Sequence, residues 1–226
     1  MGAYEGSLIM KKFGVIFDMD GVIIDSEPVY RSLNEQIYKR LGIKVEESFK
    51  SKYIGVTART KWKLIKENYN LSQSIEELLK VQNEVFSQAK WDYRKILFPG
   101  VKPLLKKLQM NAVPLALATS SGRLRVNEVL EQCNLAGYFK KVITGDEVKN
   151  GKPDPEIFLL AAKLINIPPE NCIVIEDSYN GLVAAKDANM YGVGIRHPEI
   201  QVDLSIADII VESLEEIEFE LIGKEE

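Results

Sequence analysis

The sequence has few of the residues that build several common kinds of functional site. Its single histidine among 226 residues, His197, excludes a multi-histidine metal site and disfavours a Ser-His-Asp triad. Its two cysteines, Cys133 and Cys172, are too few for a disulfide framework, so we expect buried free thiols in a reducing, cytoplasmic compartment. The chemistry is therefore sought among carboxylates, hydroxyl groups and lysines.

Long runs of one chemical character are also missing. No apolar stretch approaches the roughly 20 residues of a membrane span, and residues 1–12 lack the basic and long apolar regions of a signal peptide. The formal net charge is -4 and no dense Lys/Arg run occurs, so we expect neither a nucleic acid nor a membrane as partner. We interpret residues 1–9 as a leader or a cloning remnant, with Met10 as the natural start.

The sequence does contain short apolar runs rich in β-branched residues, and six of them predict strands. Most are unbroken rather than alternating, as expected for parallel strands that are buried on both faces. Helical patterns separate several of these runs, so the alternation predicts an α/β fold with a doubly wound parallel sheet and a Rossmann-like core. The predicted strands are Gly14–Phe17, Val113–Ala118, Lys141–Thr144, Cys172–Ile175, Gly192–Ile195 and Asp208–Val211.

One segment, residues 26–93, breaks this alternation because it contains helical patterns and no convincing strand. Apolar residues recur every four positions near its start, at Val29, Leu33, Ile37 and Leu41. Residues 74–77 have the S-x-x-E form of a helix capping box. We therefore predict an α/β core from residues 10–25 and 94–226, with a small all-helical cap domain inserted after strand one.

Three features of the second half of the chain give further local predictions. Asp154 followed by Pro155 is typical of a helix start. The acidic residues 212–226 indicate a solvated last helix and tail. No partner for His197 is apparent, so it is expected in a surface loop.

Acidic and hydroxyl-bearing residues follow three of the predicted strands. The carboxyl ends of parallel strands form the ligand-binding edge of an open α/β sheet, so these groups are expected to meet at one site. They are Asp18 and Asp20 after the first strand, Thr119 and Ser120 after the second, and Glu176 and Asp177 after the fourth, with Lys152 in a loop between.

Clustered carboxylates at such a site repel each other, and a divalent cation removes this repulsion. Carboxylate oxygens of Asp18 and Asp177 and a main-chain carbonyl near Asp20 are the hard ligands that Mg²⁺ prefers. A Mg²⁺ site in turn suggests a phosphate substrate. Thr119, Ser120 and the free amides of a helix start can bind its oxygens.

Asp18 and Asp20 suit two different roles in phosphoryl transfer. A carboxylate such as Asp18 can attack phosphorus and form an aspartyl-phosphate. A second carboxyl two residues later, Asp20, can donate a proton to the leaving oxygen and later accept one from water. Lys152 can neutralise the charge that develops on the phosphoryl group. The sequence therefore predicts a magnesium-dependent phosphoryl-transfer site.

Four motifs, in this order and at these separations, resemble those of the haloacid dehalogenase superfamily of phosphotransferases. They are DMDGV at 18–22, ATSS at 118–121, GKPDPEIF at 151–158 and IEDS at 175–178. The resemblance covers nearly the whole chain from Met10. It implies that Asp18 is the nucleophile and that Asp20 is the general acid and base. It further implies that Thr119 binds the phosphoryl group and that Lys152 stabilises its charge. Asp177 would be a Mg²⁺ ligand, with the carboxylate of Glu176 close by.

Within the superfamily, the helical segment resembles the small cap of the β-phosphoglucomutase-like branch. The mutase has a histidine shortly after the first motif and an arginine in the cap loop. An ungapped match places Tyr30 at the histidine, and Arg59 falls one position after the arginine. The resemblance therefore favours a phosphatase that acts on a small phosphorylated metabolite, expected to be a sugar phosphate.

Two other functions remain open. One is a β-phosphoglucomutase-type isomerase, and the other is a catalytically silent protein that binds a phosphorylated ligand on the same fold. The silent protein is the least favoured, because every expected catalytic residue type is present. Substrate contacts are expected from the cap, where Thr57, Arg59 and Lys63 are candidates by position.

Overall fold

The computed structural model of the protein describes residues 12–50, 53, 56–89, 91–197 and 202–217. Residues 1–9, interpreted above as a leader or cloning remnant, lie outside these ranges. The strands in the described ranges form one sheet, and helices lie on both of its faces.

All six predicted strands are present, with small shifts at some ends. They are β1 (Gly14–Phe17), β2 (Leu115–Thr119), β3 (Lys141–Thr144), β4 (Cys172–Glu176), β5 (Tyr191–Ile195) and β6 (Ile209–Val211). Their order across the sheet is β3-β2-β1-β4-β5-β6, and every neighbouring pair is parallel. The predicted doubly wound α/β fold is confirmed.

Eight α-helices occur in the described residues. The first four after β1, which we call the helical insert, are α1 (Glu27–Leu41), α2 (Glu47–Lys50), α3 (Ala58–Tyr69) and α4 (Ile75–Gln88). The other four are α5 (Val101–Met110), α6 (Arg123–Gln132), α7 (Glu156–Ile165) and α8 (Tyr179–Asp187).

The central strand β1 lies between β2 and β4 and is buried on both faces. Val15 and Phe17 point into one apolar cluster and Ile16 points into the other, as the two-residue period of a strand requires. The chain builds β2 and β3 on one side of β1 and then returns to build β4 to β6 on the other. The sheet order therefore reverses next to β1, and ligands bind at such points in open α/β sheets.

The helical insert has an apolar core of its own. Its buried residues are Ile37, Tyr38, Val45, Phe49, Trp62, Ile65 and Leu78. The predicted capping box is present at the start of α4, where the Ser74 side chain accepts from Glu77 N and the Glu77 side chain accepts from Ser74 N. None of the helices in the described ranges combines the length and the apolar character that a membrane crossing requires.

Two local predictions need correction, and a third lies mostly outside the described residues. Strand β2 begins at Leu115 rather than Val113, because the Val113 amide donates to the Leu108 carbonyl and closes the end of α5. Helix α7 begins one residue later than predicted, with Pro155 at the N-cap position, since the Asp154 side chain accepts from the Glu156 amide. Of the segment predicted as a last helix and tail, residues 212–217 are described and contain one 3₁₀ turn, at Leu214–Glu216, and the remainder lies outside the described residues.

Candidate active site

The chain turns sharply directly after β1, and this turn carries two acidic residues to the edge of the sheet. The Asp18 amide still donates to the Ile175 carbonyl of β4, so the first acid is held as an extension of the strand. Gly21 has a φ of 77°, and a Cβ atom at this position would lie 1.9 Å from Asp177 Oδ2. Only glycine therefore allows the turn to approach Asp177 so closely.

Lys152 binds two carboxylates that lie at the ends of the neighbouring strands β1 and β4. Its Nζ atom lies 2.6 Å from Asp18 Oδ1 and 2.6 Å from Glu176 Oε1, and the residue is only 6% exposed. Glu176 Oε2 accepts from the amide and hydroxyl of Ser178, at 2.7 and 2.9 Å. Both oxygens of Glu176 are thus engaged within the protein, and one of them contacts the same ammonium group as Asp18.

The carboxylates at this edge outnumber their positive partners. Burial raises the pKa of Asp18 to about 7, although Lys152 opposes the rise, and Glu176 adds to it. Burial, and then the neighbouring charges of Glu176 and Asp18, raise the pKa of Asp177 well above its usual range. Further positive charge is needed before these carboxyl groups can be fully ionised at neutral pH.

This donor set fits a magnesium ion that keeps part of its water shell. In the described residues, no three His, Cys, Asp or Glu side chains converge as a ready-made metal site. Mg²⁺ typically binds through only one or two carboxylates and retains several waters, which suits Asp18 and Asp177 at a crowded anionic edge.

The loop after β2 provides the predicted hydroxyl groups. Thr119 is buried, and its Oγ1 accepts from the Ser121 amide at 3.1 Å. Ser120 is exposed, and both residues line the same cavity as Asp18. Helix α6 starts at Arg123, so the loop leads directly into a helix N-terminus, a place that favours an anion, and the Arg123 amide itself donates to Asp146 Oδ2 at 2.7 Å.

Asp20 has a partner that the sequence did not reveal. Arg125 Nη1 lies 2.7 Å from Asp20 Oδ2, and Arg125 Nη2 lies 2.6 Å from Oδ1, so the arginine binds both carboxylate oxygens. The Ser121 hydroxyl donates to Oδ2 at 2.8 Å. Although burial acts in the opposite direction, the guanidinium holds the pKa of Asp20 below its usual range.

These groups line one cavity of about 400 Å³ between the edge of the sheet and the helical insert. The structure brings together there all seven of the predicted core site residues, Asp18, Asp20, Thr119, Ser120, Lys152, Glu176 and Asp177. From the insert, the predicted Thr57 also lines the cavity. Its further walls include Tyr30, Asn34, Lys61, Gln82 and Phe86.

Two of the predicted substrate residues lie elsewhere. Arg59 does not line the cavity; its Nη1 lies 2.9 Å from Glu76 Oε1 at the surface, with 64% of the arginine side chain exposed. Lys63 is also exposed. Side chains four residues apart share a helix face, whereas positions 57 and 59 point in nearly opposite directions. The cation facing the cavity from α3 is therefore Lys61, four residues after Thr57.

Lys61 is buried without a charged partner in the described residues. It is 8% exposed, and its Nζ donates to Asn34 Oδ1 at 3.0 Å and lies 4.8 Å from the centre of the Trp62 indole. Burial lowers the pKa of Lys61 to about 8. The sequence contained a signal for Lys61, because this residue follows the cavity-lining Thr57 by about one helical turn.

His197 lies in a loop as predicted, but the expectation that it has no partner is wrong. Its Nε2 lies 2.7 Å from the Gly21 carbonyl oxygen and 3.9 Å from Asp177 Oδ2. The imidazole stacks on Phe98, with ring centres 5.3 Å apart. His197 lies two residues after the end of β5, so its position near a strand end was the available signal.

Comparison with known proteins identifies the family of the chain. A family model described as haloacid dehalogenase-like hydrolase matches residues 15–195. A phosphorylated carbohydrates phosphatase from Thermotoga maritima is 37% identical over 184 residues, which are 79% of this chain and 84% of that protein. The (DL)-glycerol-3-phosphatase 2 of Arabidopsis thaliana is 32% identical over 209 residues, 88% of this chain and 86% of that protein.

Among solved structures, the crystal structure of a β-phosphoglucomutase from Clostridium difficile is similar over 95% of this chain and 96% of its own. The TM-score is 0.81 and the sequence identity is 29%. The relatives thus include both phosphatases and a mutase.

Proposed function

The chain belongs to the haloacid dehalogenase-like hydrolase family, and from this premise we propose that it hydrolyses a small phosphorylated carbohydrate through an aspartyl-phosphate on Asp18. It is a phosphoric monoester hydrolase of this family's type. The observation that carries the proposal is the single cavity in which Asp18, Thr119, Lys152 and Asp177 meet beneath the helical insert.

In the first half of the proposed reaction, a carboxylate oxygen of Asp18 attacks phosphorus in line with the leaving oxygen. A bond forms between Asp18 and phosphorus, the ester P–O bond breaks, and Asp20 gives its proton to the leaving alkoxide. Lys152 and the hydroxyl of Thr119 stabilise the charge on the phosphoryl oxygens.

In the second half, water attacks the phosphorus of the aspartyl-phosphate. Asp20 takes a proton from that water as its oxygen bonds to phosphorus, and the bond to Asp18 breaks. Inorganic phosphate leaves, Asp18 is again a carboxylate, and Asp20 is again protonated. Asp20 thus gives one proton and takes one proton in each turnover.

Magnesium is the proposed cofactor. Asp18, Asp177 and a main-chain oxygen near Asp20 would hold it, while Glu176 acts through Lys152. When bound, Mg²⁺ supplies positive charge to the phosphoryl oxygens and keeps the nearby carboxyl groups ionised.

We propose that the helical insert acts as a cap domain. It forms the wall opposite Asp18, and a cap that closes at hinges near Ser26 and Arg94 would exclude water during phosphoryl transfer. The polar groups of this wall include Thr57, Lys61 and Asn34, which suits the hydroxyl groups of a carbohydrate.

The mutase is the second candidate, because the Clostridium difficile structure is similar over nearly the whole chain. A mutase must shield its aspartyl-phosphate from water until the sugar has turned around. Tyr30 stands where the mutase has its histidine. Its ring packs against Phe86 and Trp91, with ring centres 5.5 Å apart in both pairs. A packed phenol cannot take over proton exchange by an imidazole, and this favours the phosphatase.

The test is phosphate release from a panel of phosphorylated metabolites, with Mg²⁺ and with EDTA. The panel includes β-glucose 1-phosphate with a trace of glucose 1,6-bisphosphate. We expect Mg²⁺-dependent release from a group of sugar phosphates. Conversion of β-glucose 1-phosphate to glucose 6-phosphate with little release would instead identify a mutase.

A further inference from the structure

We propose that the substrate of this site carries a carboxylate group besides its phosphate, and that Lys61 of the helical insert binds that carboxylate. The substrate class is then a phosphorylated sugar acid, or a related hydroxy acid, rather than a neutral sugar phosphate. This inference rests on the proposed function, because it concerns the substrate of the same cavity. Neither the family match nor the similar proteins assign a ligand to Lys61.

The first argument is that Lys61 lacks a counter-ion in the described residues. The side chain lines the cavity although the residue is only 8% exposed. Of the three N–H groups of its ammonium, one donates to Asn34 Oδ1 at 3.0 Å. Burial lowers the pKa of Lys61 to about 8, so the group is still charged at pH 7. A buried, unpaired charge is costly, and an anionic ligand would remove that cost.

The second argument is the orientation of two amide side chains that also line the cavity, Asn34 and Gln82. Asn34 Oδ1 accepts from Lys61, and Gln82 Oε1 accepts from Trp62 Nε1 at 2.8 Å. An ammonium group and an indole N–H can only donate, so each amide directs its oxygen at the protein and has its NH₂ group left for a ligand. Together with Lys61, these groups offer donors, which suit a carboxylate because it only accepts.

The third argument is the balance of charge in the cavity. Three Lys or Arg side chains line it in the described part of the chain. Lys152 already contacts two carboxylates, and Arg125 binds that of Asp20. Lys61 therefore contributes one positive charge that is not neutralised. A carboxylate matches it, whereas a second phosphoryl group, with a charge of about −1.5 to −2 at pH 7, would leave an excess of buried negative charge.

Two acids that line the same cavity do not serve as the counter-ion. Asp25 and Glu27 form no ion pair with Lys61, and the carboxylate of Glu27 lies 3.9 Å from Arg31 Nε instead. The position of Lys61 on the insert wall also fixes where the ligand carboxylate must be. Because the phosphate reacts at the sheet wall, the carboxylate is expected at the opposite end of a small molecule, and a cavity of about 400 Å³ is large enough for one.

The experiment compares two matched pairs of compounds that differ only in a carboxylate in place of a CH₂OH group. One pair is 6-phosphogluconate and glucitol 6-phosphate, and the other is 3-phosphoglycerate and glycerol 3-phosphate. Titration calorimetry with Asp18→Asn in Mg²⁺ measures binding without turnover. We expect the acid to bind at least about tenfold more tightly than its alcohol in one pair or both. The kcat/KM values of the wild-type protein should show the same preference.

Two variants, made in the Asp18→Asn background, test whether Lys61 causes this preference. Lys61→Met should reduce the ratio of the two affinities to less than about twofold, chiefly by weakening the acid. Asn34→Asp retains Lys61 but supplies a carboxylate beside its ammonium group, so it should also abolish the preference. The matched control is Lys63→Met on the exposed side of α3, which should keep the original ratio.

The outcomes separate this inference from the proposed function. Equal affinities within both pairs, or a preference for the acid that survives Lys61→Met, would overturn the inference even if sugar phosphates are hydrolysed. Tighter binding of glucose 1,6-bisphosphate than of either acid would assign the insert wall to a second phosphoryl group and would also overturn it. A Lys61-dependent preference for the acid without any phosphate release by the wild-type protein would support the inference and contradict the proposed function.

Discussion

Two buried lysines on opposite walls of the cavity have opposite electrostatic environments. Lys152, on the sheet side, binds the carboxylates of Asp18 and Glu176, and these charges hold its pKa above the usual range even though burial opposes them. Lys61, on the insert side, has the neutral Asn34 as its hydrogen-bond partner, and burial lowers its pKa to about 8.

This difference indicates that the two walls of the cavity have different roles. The sheet wall is assembled before substrate arrives, because its lysine is already fixed by two carboxylates. The insert wall keeps an ammonium group without a charged partner in the described residues, and oxygens of a substrate can complete its hydrogen bonds. We therefore assign reaction chemistry to the sheet wall and substrate recognition to the insert wall, and four predictions test this division.

The largest effect is expected on the sheet wall, from Asp18→Asn. The amide keeps an acceptor for Lys152 but is not nucleophilic, so we expect no measurable phosphate release from a folded protein. Circular dichroism and urea unfolding check the fold. Asp25→Asn, which alters another acid lining the cavity, should retain turnover. Substantial activity in Asp18→Asn would contradict the assignment of the nucleophile.

Asp20→Asn should have the next largest effect. Loss of the proton donor should slow turnover of an alkyl phosphate by on the order of 10² to 10⁴-fold. Steady-state phosphate release measures this loss. An unchanged rate would remove Asp20 from proton transfer.

Lys152→Met tests whether the sheet wall is held together by its lysine. Removing the common partner of Asp18 and Glu176 leaves two buried carboxylates facing each other, which should lower the free energy of unfolding by about 3 kcal/mol. Urea unfolding at pH 7 in EDTA measures the change. Lys163→Met on the exposed face of α7 is the surface control and should cause little change. A stable Lys152→Met protein would mean that the carboxylates are not ionised together.

Lys61→Met should have the smallest effect and the opposite sign on stability. It removes a buried ammonium group without a charged partner, so the free energy of unfolding at pH 7 should rise by about 1 kcal/mol. The folded-state pKa of Lys61, about 8, is below the unfolded value. The cost of the buried charge is therefore fully present below pH 8 and declines as the pH rises toward 10.5, so the gain from the substitution should shrink over that range.

The kinetics of Lys61→Met also test whether the insert wall binds the substrate. Lys61→Met should raise KM for the preferred sugar phosphate about tenfold with a smaller change in kcat, because it removes substrate binding rather than reaction chemistry. Arg59→Met, at the exposed pair with Glu76, should leave both parameters unchanged. If Arg59→Met raised KM and Lys61→Met did not, the substrate would be bound by the opposite face of α3.

Much of the fold was predictable because its signals are local in the chain. Unbroken β-branched runs predicted all six strands, and the capping box at Ser74 predicted the start of α4. The errors occurred where a side chain or an amide is engaged by a neighbouring element, as at Val113, whose amide closes α5. The site was predictable in the same way, because its residues follow strands that the sheet places side by side.

The sequence by itself determined the strand pattern, the place of the helical insert and the set of residues at the strand ends, because each depends on residues that are neighbours in the chain. Only the tertiary structure decided that Arg125 binds Asp20, that Lys61 rather than Arg59 faces the cavity, and that His197 reaches Gly21. Arg125 and Asp20 are 105 positions apart, and His197 and Gly21 are 176 apart. Such pairs meet only because the sheet order reverses beside β1 and brings the distant loops of β1, β2 and β5 to one edge, and no local pattern in the sequence carries that information.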